Sequence, residues 1–237
     1  MSPTFILASL CICALLCGCS GQAIQRGDGS TTLRKFSLKE LVKTDIDNVV
    51  ETHQQAAVTS LKTLTLKLYR RNPQEWRKGG FASAEIAIEN LFKPLSHWEL
   101  APKPDWQTSI LNALREDFTG DRVQALMQGL LVMNMAAYNH RTEFYVLSEL
   151  DPQKLYNSAR NLEAVVWKLS NARHTQGDLF LLSNAVDTQG TANLCFEREF
   201  GKLISIQDTL AKIIEDKNNR AIRFGVVNLA TMIFLPI

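Results

Sequence analysis

No histidine pair at metal-binding spacing, no glycine-rich phosphate loop and no nucleophile elbow occurs in the 237 residues. His53, His97, His140 and His174 stand singly, so H-E-x-x-H and H-x-x-x-H are both missing and no zinc site is implied. The absence of G-x-S-x-G, of a P-loop and of a dinucleotide fingerprint removes the familiar signatures of hydrolase, nucleotide-binding and dehydrogenase chemistry. Motifs therefore imply no catalytic residue, no metal and no cofactor. A dominant charge is missing too. With 26 Lys and Arg against 24 Asp and Glu the formal net charge is +2, and nucleic acid is not an implied partner. No uninterrupted apolar stretch reaches the roughly 20 residues of a membrane-spanning helix. What remains, 46% hydrophobic and 21% charged residues, is the composition of an ordinary globular domain.

Cysteine is scarce and unevenly placed. Four of the five, Cys11, Cys13, Cys17 and Cys19, fall in the first 19 residues, and Cys195 stands alone. From Met1 to Gly18 no side chain is charged, and Phe5 to Leu16 is nearly unbroken apolar sequence, the size of a signal-peptide h-region and too short to span a bilayer. It ends in Leu16-Cys17-Gly18-Cys19-Ser20. This segment resembles the lipobox of bacterial lipoproteins, in which an aliphatic residue and two small residues precede the cysteine that becomes the new N-terminus. Cys17 stands where Ala, Ser or Thr is more usual. The resemblance implies transfer of a diacylglycerol to the Cys19 thiol, cleavage ahead of it, and attachment to the lipid bilayer. Ser20, rather than Asp, after the cysteine implies sorting to the outer membrane of a Gram-negative host, on its periplasmic face. The competing reading is a plain secretory signal with incidental cysteines. Processing at Cys19 would leave the mature chain without a possible intramolecular disulfide, so its core must hold the fold. The phrases Leu68-Tyr69-Arg70-Arg71-Asn72-Pro73, Asp151-Pro152-Gln153-Lys154-Leu155-Tyr156-Asn157 and Phe200-Gly201-Lys202-Leu203-Ile204 resemble those of predicted proteobacterial lipoproteins. That resemblance implies a host and a compartment and no mechanism.

The expected organisation is a signal peptide at 1–18, a lipidated flexible tether at 19–35 and one helical domain at 36–237. The tether is rich in Gly, Ser, Thr and Gln. Ser37-Leu38-Lys39-Glu40 reads as a capping box, and apolar residues from Leu38 to Leu68 recur at spacings of three and four up to Asn72-Pro73. Further helices are predicted over Ala82–Phe92 and Trp106–Arg115. Asp121 opens a strongly apolar helix to Ala137, the candidate central helix. Asp151-Pro152 opens another to about Ala172. Leu179-Phe180-Leu181-Leu182 is compatible with a strand or with a loop plug. Two closing helices are predicted at about 193–216 and 219–234. The fold class is all-α, a single multi-helix bundle of seven or eight helices without βαβ alternation.

Three polar clusters are candidate sites. Asp47 and Glu51 lie one turn apart with His53 close by, a spacing suited to acid-base work or a cation, or to a solvated helix face. Arg70, Arg71, Arg77 and Lys78 surround Tyr69 and Trp76, a pattern suited to phosphates or carboxylates, or to a helix C-terminus. Glu116, Asp117 and Asp121 flank Gly120 as helix-start carboxylates. Cys195 sits in an apolar context that predicts a buried, inert thiol. The apolar stretch from Phe224 to Ile237 is either buried by other helices or touches a membrane.

Two functions fit. One is a non-catalytic, membrane-anchored envelope module binding or scaffolding an envelope protein or an anionic glycan. The other is a hydrolase or lyase of an envelope polymer using Asp47, Glu51 or Glu116 with a histidine brought near by folding.

Overall fold

The computed structural model describes residues 23–25, 31–33, 43–145, 148–186, 189–190, 192–223 and 233–237. The signal peptide, Cys19 and the capping box at 37–40 lie outside the described residues. The chain divides into two compact units, Met1–Thr44 and Asp45–Ile237. In the first, β1 (Ala23–Gln25) pairs antiparallel with β2 (Thr31–Leu33). The stretch read as a plain tether thus contains a short ladder, and strands of three residues give too little alternation to be legible.

The second unit is a helical bundle with seven α-helices among the described residues. In chain order these are α1 (Asp45–Arg71), α2 (Pro73–Lys78), α3 (Ala84–Phe92), α4 (Trp106–Ala113), α5 (Arg122–Ala137), α6 (Pro152–Asn171) and α7 (Cys195–Asn218). A 3-10 turn, Lys93–His97, follows α3. Outside the helices, β3 (Ala185–Val186) and β4 (Ala192–Asn193) form a short antiparallel pair.

The helix starts follow from cap chemistry. Ser83, Asp105, Asp121 and Asp151 each accept a hydrogen bond from a backbone N–H of the helix they precede. Pro152 then takes the first helical position, where its missing N–H costs nothing. Three features differ from the sequence reading. Residues 43–44 are not helical and α1 starts at Asp45, later than the start expected near Leu38. α1 ends at Arg71, before Asn72-Pro73 as expected, but the basic stretch beyond it forms a further short helix: Asn72 leaves helical geometry at φ −128° and Pro73 starts α2. The final predicted helix does not begin at 219, because Asn219 takes left-handed geometry (φ 49°) as the cap of α7, and residues 220–223 and 233–237 are not helical. The rest of that prediction, 224–232, lies outside the described residues.

Helix α5 is central. Thirteen of its sixteen residues are buried, and it packs against α1, α2, α3, α4 and α6. Its closest approach is to α4, where Gly129 passes with no room for a side chain. An added Cβ would stand 2.6 Å from Ile110 Cγ1 and 2.8 Å from the Trp106 carbonyl oxygen. Leu61, Leu64 and Leu68 of α1, Leu126 and Leu130 of α5, Val165 of α6 and Phe200 of α7 fill the main core. A second cluster around Val50, Tyr138, Phe144, Leu155 and Leu210 closes the other end. Each fully buried aliphatic or aromatic side chain contributes about 1.5–3 kcal/mol.

Leu179–Leu182 forms a loop plug, with a single bridge from Arg173 to Leu179. Leu181 is buried, and the Asn72 side chain holds Leu182 by both main-chain atoms: Nδ2 donates to its carbonyl (2.9 Å) and Oδ1 accepts from its N–H (2.8 Å).

Among the described residues no helix is long and apolar enough to cross a membrane.

Candidate functional site

A polar-lined cleft is built where α5 ends. An apolar helix must stop where the chain turns polar, and Tyr138-Asn139-His140-Arg141 supplies the stop. Asn139 and His140 adopt left-handed geometry in succession, at φ 53° and 58°, without a glycine. Asn and His tolerate this region better than most residues, yet two in a row store strain that the surroundings must hold. The His140 N–H donates back to Met135 O at 2.7 Å, and the Asn139 side chain bridges Glu149 O and Lys154 Nζ.

Helix α1 fixes the loop from below. Gln54 Nε2 donates to Arg141 O at 2.7 Å, and Glu51 Oε1 accepts from the Phe144 N–H at 3.0 Å. Both contacts reach main-chain atoms, so they set the path of residues 141–144 independently of their side chains. The buried ring of Phe144 then anchors the loop against Tyr138, edge to face, at 6.1 Å.

The resulting cleft has a volume of about 480 Å³. One wall is the end of the 3-10 turn and the segment after it, with His97, Trp98 and Glu99. The other carries Arg141, Glu143, Tyr145 and Ser148. The Tyr145 hydroxyl donates to Glu143, and Tyr145 and Ser148 exchange two hydrogen bonds. Trp98 is buried and stacks on His140 at 6.2 Å, its indole N–H donating to His140 Nδ1 at 3.4 Å. An indole nitrogen can only donate, so Nδ1 is the acceptor and the neutral ring carries its proton on Nε2. Burial, helped by Lys103 and Lys154, pushes the imidazole below the usual histidine range, in keeping with that neutral form. The cleft therefore offers the carboxylates of Glu99 and Glu143, the Arg141 guanidinium and the Tyr145 phenol, while the neutral His140 ring stacks against the Trp98 wall outside the lining. It can hold a polar ligand carrying charge of either sign. Among the described contacts of these lining residues no nucleophile is linked to a base and a third orienting group, the arrangement that covalent catalysis needs.

The candidate residues from the sequence are dispersed. Asp47 is 2% exposed, which overturns the solvated-face reading for that carboxylate. Glu51 serves the loop, and His53 Nδ1 lies 2.8 Å from its own-helix acceptor Val49 O. Glu51 and His53 thus turn to separate partners. Arg70 and Arg71 are exposed at the end of α1, Arg77 lies over the Trp76 ring at 4.8 Å, and Lys78 pairs with buried Glu75 at 2.7 Å. Those four cations do not converge on a common anion site. Cys195 is a free thiol and only partly buried, where full burial was expected. Glu116 does meet a histidine: its carboxylate accepts from the Thr175 N–H and lies 3.3 Å from His174 Nδ1. The cleft itself escaped the sequence reading because residues 96–100 and 141–148 are far apart in the chain. The available signal was the Asn-His stop after α5.

Asp121 caps α5 as predicted, with Oδ1 accepting from Gln124 N at 2.8 Å, and its other oxygen accepts from the buried Tyr69 hydroxyl at 2.8 Å. Burial raises the Asp121 carboxyl above the usual carboxylate range and pushes the Tyr69 phenol far up. Beside them, Glu75 Oε2 accepts from the Arg122 N–H at 2.7 Å, and the Arg122 guanidinium donates to the carbonyls of Ala113 and Arg115. These groups are saturated by one another and join α1, α2 and α5. Their role is structural. Among the described residues no group of three or more His, Cys, Asp and Glu side chains is placed to hold a metal ion.

The loop's dependence on Glu51 is measurable. Glu51→Ala is expected to speed hydrogen exchange at the Phe144 amide roughly tenfold, the equivalent of one hydrogen bond of about 1.4 kcal/mol, while Glu51→Gln retains an acceptor and most of the protection. Unchanged exchange in the alanine variant would remove Glu51 from the loop's support.

Comparison of the chain with protein-family models, with curated proteins and with solved structures returned no match.

Proposed function

We propose that the chain is a lipid-anchored envelope protein whose helical body is a non-catalytic binding module. It would be tethered through acylated Cys19 at the periplasmic face of the outer membrane, with an envelope protein or an anionic glycan held at the cleft beside Trp98. The observation that carries the binding reading is the cleft itself. Its loop is strained, anchored by main-chain contacts from α1, and lined by both signs of charge. Such a rigidly positioned loop on a helical scaffold is the usual bearer of recognition. Burying acyl chains contributes about 0.8 kcal/mol per methylene, so the two or three chains implied by the lipobox resemblance would make the attachment stable.

Two experiments test this. Cys19→Ala is expected to abolish metabolic incorporation of palmitate, and persistent labelling would refute the anchor. Pull-down from envelope fractions, comparing the native chain with a form lacking residues 1–19, is expected to recover one defined protein or glycan with both. Glu143→Ala with Arg141→Ala should lose that partner; retention by the double variant would move the binding site elsewhere.

A second reading, cleavage of an envelope polymer, draws on the Glu116–His174 pair at 3.3 Å. The pair is solvent-exposed, and its Thr175 contacts hold the carboxylate in place rather than aim it at a substrate. The binding module is therefore the preferred reading.

A further inference from the structure

One face of α6 carries three side-chain amides at consecutive turns, Gln153, Asn157 and Asn161. All three are engaged with main chain, Asn161 and Asn157 with Leu235 and Pro236 and Gln153 with Arg223. Asn161 binds Leu235 twice, Oδ1 accepting its N–H at 2.7 Å and Nδ2 donating to its carbonyl at 2.9 Å. Asn157 Nδ2 donates to Pro236 O at 2.7 Å. Gln153 treats Arg223 as Asn161 treats Leu235, accepting from its N–H at 2.8 Å and donating to its carbonyl at 3.0 Å, and also donates to Asn157 Oδ1. The register runs from Leu235 at Asn161 to Pro236 at Asn157, so residues 235–236 lie antiparallel to α6.

This is a device for reading extended backbone. A carboxamide matches the N–H and C=O of one residue at once and ignores its side chain, as a neighbouring β-strand would. Specificity falls to the flanking side chains. Phe234 packs edge to face on Trp106 at 5.1 Å, and Ile237 packs against both core clusters, whereas Ile233 points to solvent. Pro236 needs no donor partner, and only its carbonyl is used. Beside the segment a cavity of about 470 Å³ continues along the α6 N-terminus, lined by Asp151, Gln153, Arg220 and Arg223. The segment is short, and a part-buried aromatic and aliphatic residue are its main apolar anchors. Exchange for a competing peptide therefore needs few contacts to break.

We propose that the Asn157 and Asn161 amides of α6, with the Phe234 and Ile237 seats, form a peptide-binding groove that residues 233–237 occupy in cis. The trans ligand is an extended peptide with an aromatic residue, an aliphatic residue, proline and an aliphatic residue in succession. The covalently linked segment competes at an effective concentration on the order of millimolar, so the groove is self-blocked until that segment is released or outcompeted.

The test uses the full chain and a fluorescent synthetic peptide, Ile-Phe-Leu-Pro-Ile. Leu235→Pro deletes the N–H that Asn161 accepts and weakens the cis occupant. This variant is expected to bind the peptide at least tenfold more tightly than the unmodified chain by anisotropy. A peptide N-methylated at its leucine, which lacks the same N–H, should bind at least tenfold more weakly than the parent peptide. Equal affinity of the two chains, or of the two peptides, overturns the proposal. Should Leu235→Pro fail to fold, the unmodified chain decides the matter. Excess parent peptide should expose the Leu235 amide to hydrogen exchange and the N-methylated peptide should not; continued protection with both overturns it.

Discussion

Asp121→Ala is expected to destabilise the protein by about 3 kcal/mol, measured by urea unfolding. Two losses add. The N-cap of α5 goes, worth about 1 kcal/mol, and the Tyr69 hydroxyl is left in the interior without its acceptor, worth about 1–3 kcal/mol. Relief of the buried carboxylate offsets part of the sum. Asp121→Asn separates the contributions, since Asn caps a helix as well as Asp does, and its cost should be about 1 kcal/mol or less. It should also change the pH dependence in a definite direction. The folded-state carboxyl is raised by burial, so between the unfolded and folded pKa the native state holds the extra proton. Stability from this group is then highest below the unfolded value and falls as pH rises through the folded one. The asparagine variant should lose that acid-side slope. Unfolding curves of equal pH dependence in the two proteins would show that Asp121 is ionised without strain.

Gly129→Ala is the second large effect and runs against helix propensity. In an isolated helix the change is favourable by about 1 kcal/mol. Here the new Cβ meets the main chain of α4, at 2.8 Å from Trp106 O and 3.0 Å from Ile110 N, and main chain cannot rotate aside. Overpacking typically costs 1–3 kcal/mol, and a rigid obstacle takes the upper part of that range or more. The expected net loss is about 2 kcal/mol, a fall of roughly 4–8 °C in the thermal midpoint for a chain of this size. Gly201→Ala in α7, where an added Cβ meets nothing within 4 Å, should show the propensity gain alone. If both alanine variants are stabilised alike, α4 and α5 are not packed as closely as described.

The helical elements were legible because their signals are local. Asp121, and Pro152 after Asp151, placed two helix starts, and the helices expected from Ala82 and Trp106 begin within two residues of those positions. The seven described helices match the expected bundle of seven or eight. What escaped depended on distant partners or on very short spans. α2 is six residues long, too short for its period to show, and was not expected as a helix. The cleft needs Gln54 and Glu51 to meet residues 141–144, a relation no window can display. Asp47 and Glu51 were read as one helix face with His53 close by, yet Glu51 accepts from Phe144 and His53 faces Val49 O of its own helix. The Glu116–His174 contact shows the converse, since folding joined a carboxylate and a histidine 58 positions apart without any motif.

The side-chain clamps on main chain separate two things that evolution or an engineer would wish to vary independently. Asn72 holds Leu182, Gln54 holds Arg141 and Glu51 holds Phe144, each by main-chain atoms. A clamp of that kind is blind to what the held residue displays. Arg141, Thr142 and Glu143 can therefore be randomised as a library without loosening the scaffold, provided that proline is kept from positions 141 and 144, whose N–H groups are in use, and that Phe144 keeps its buried ring. The same blindness makes the loop a graft site: a foreign recognition sequence inserted there inherits a preformed seat.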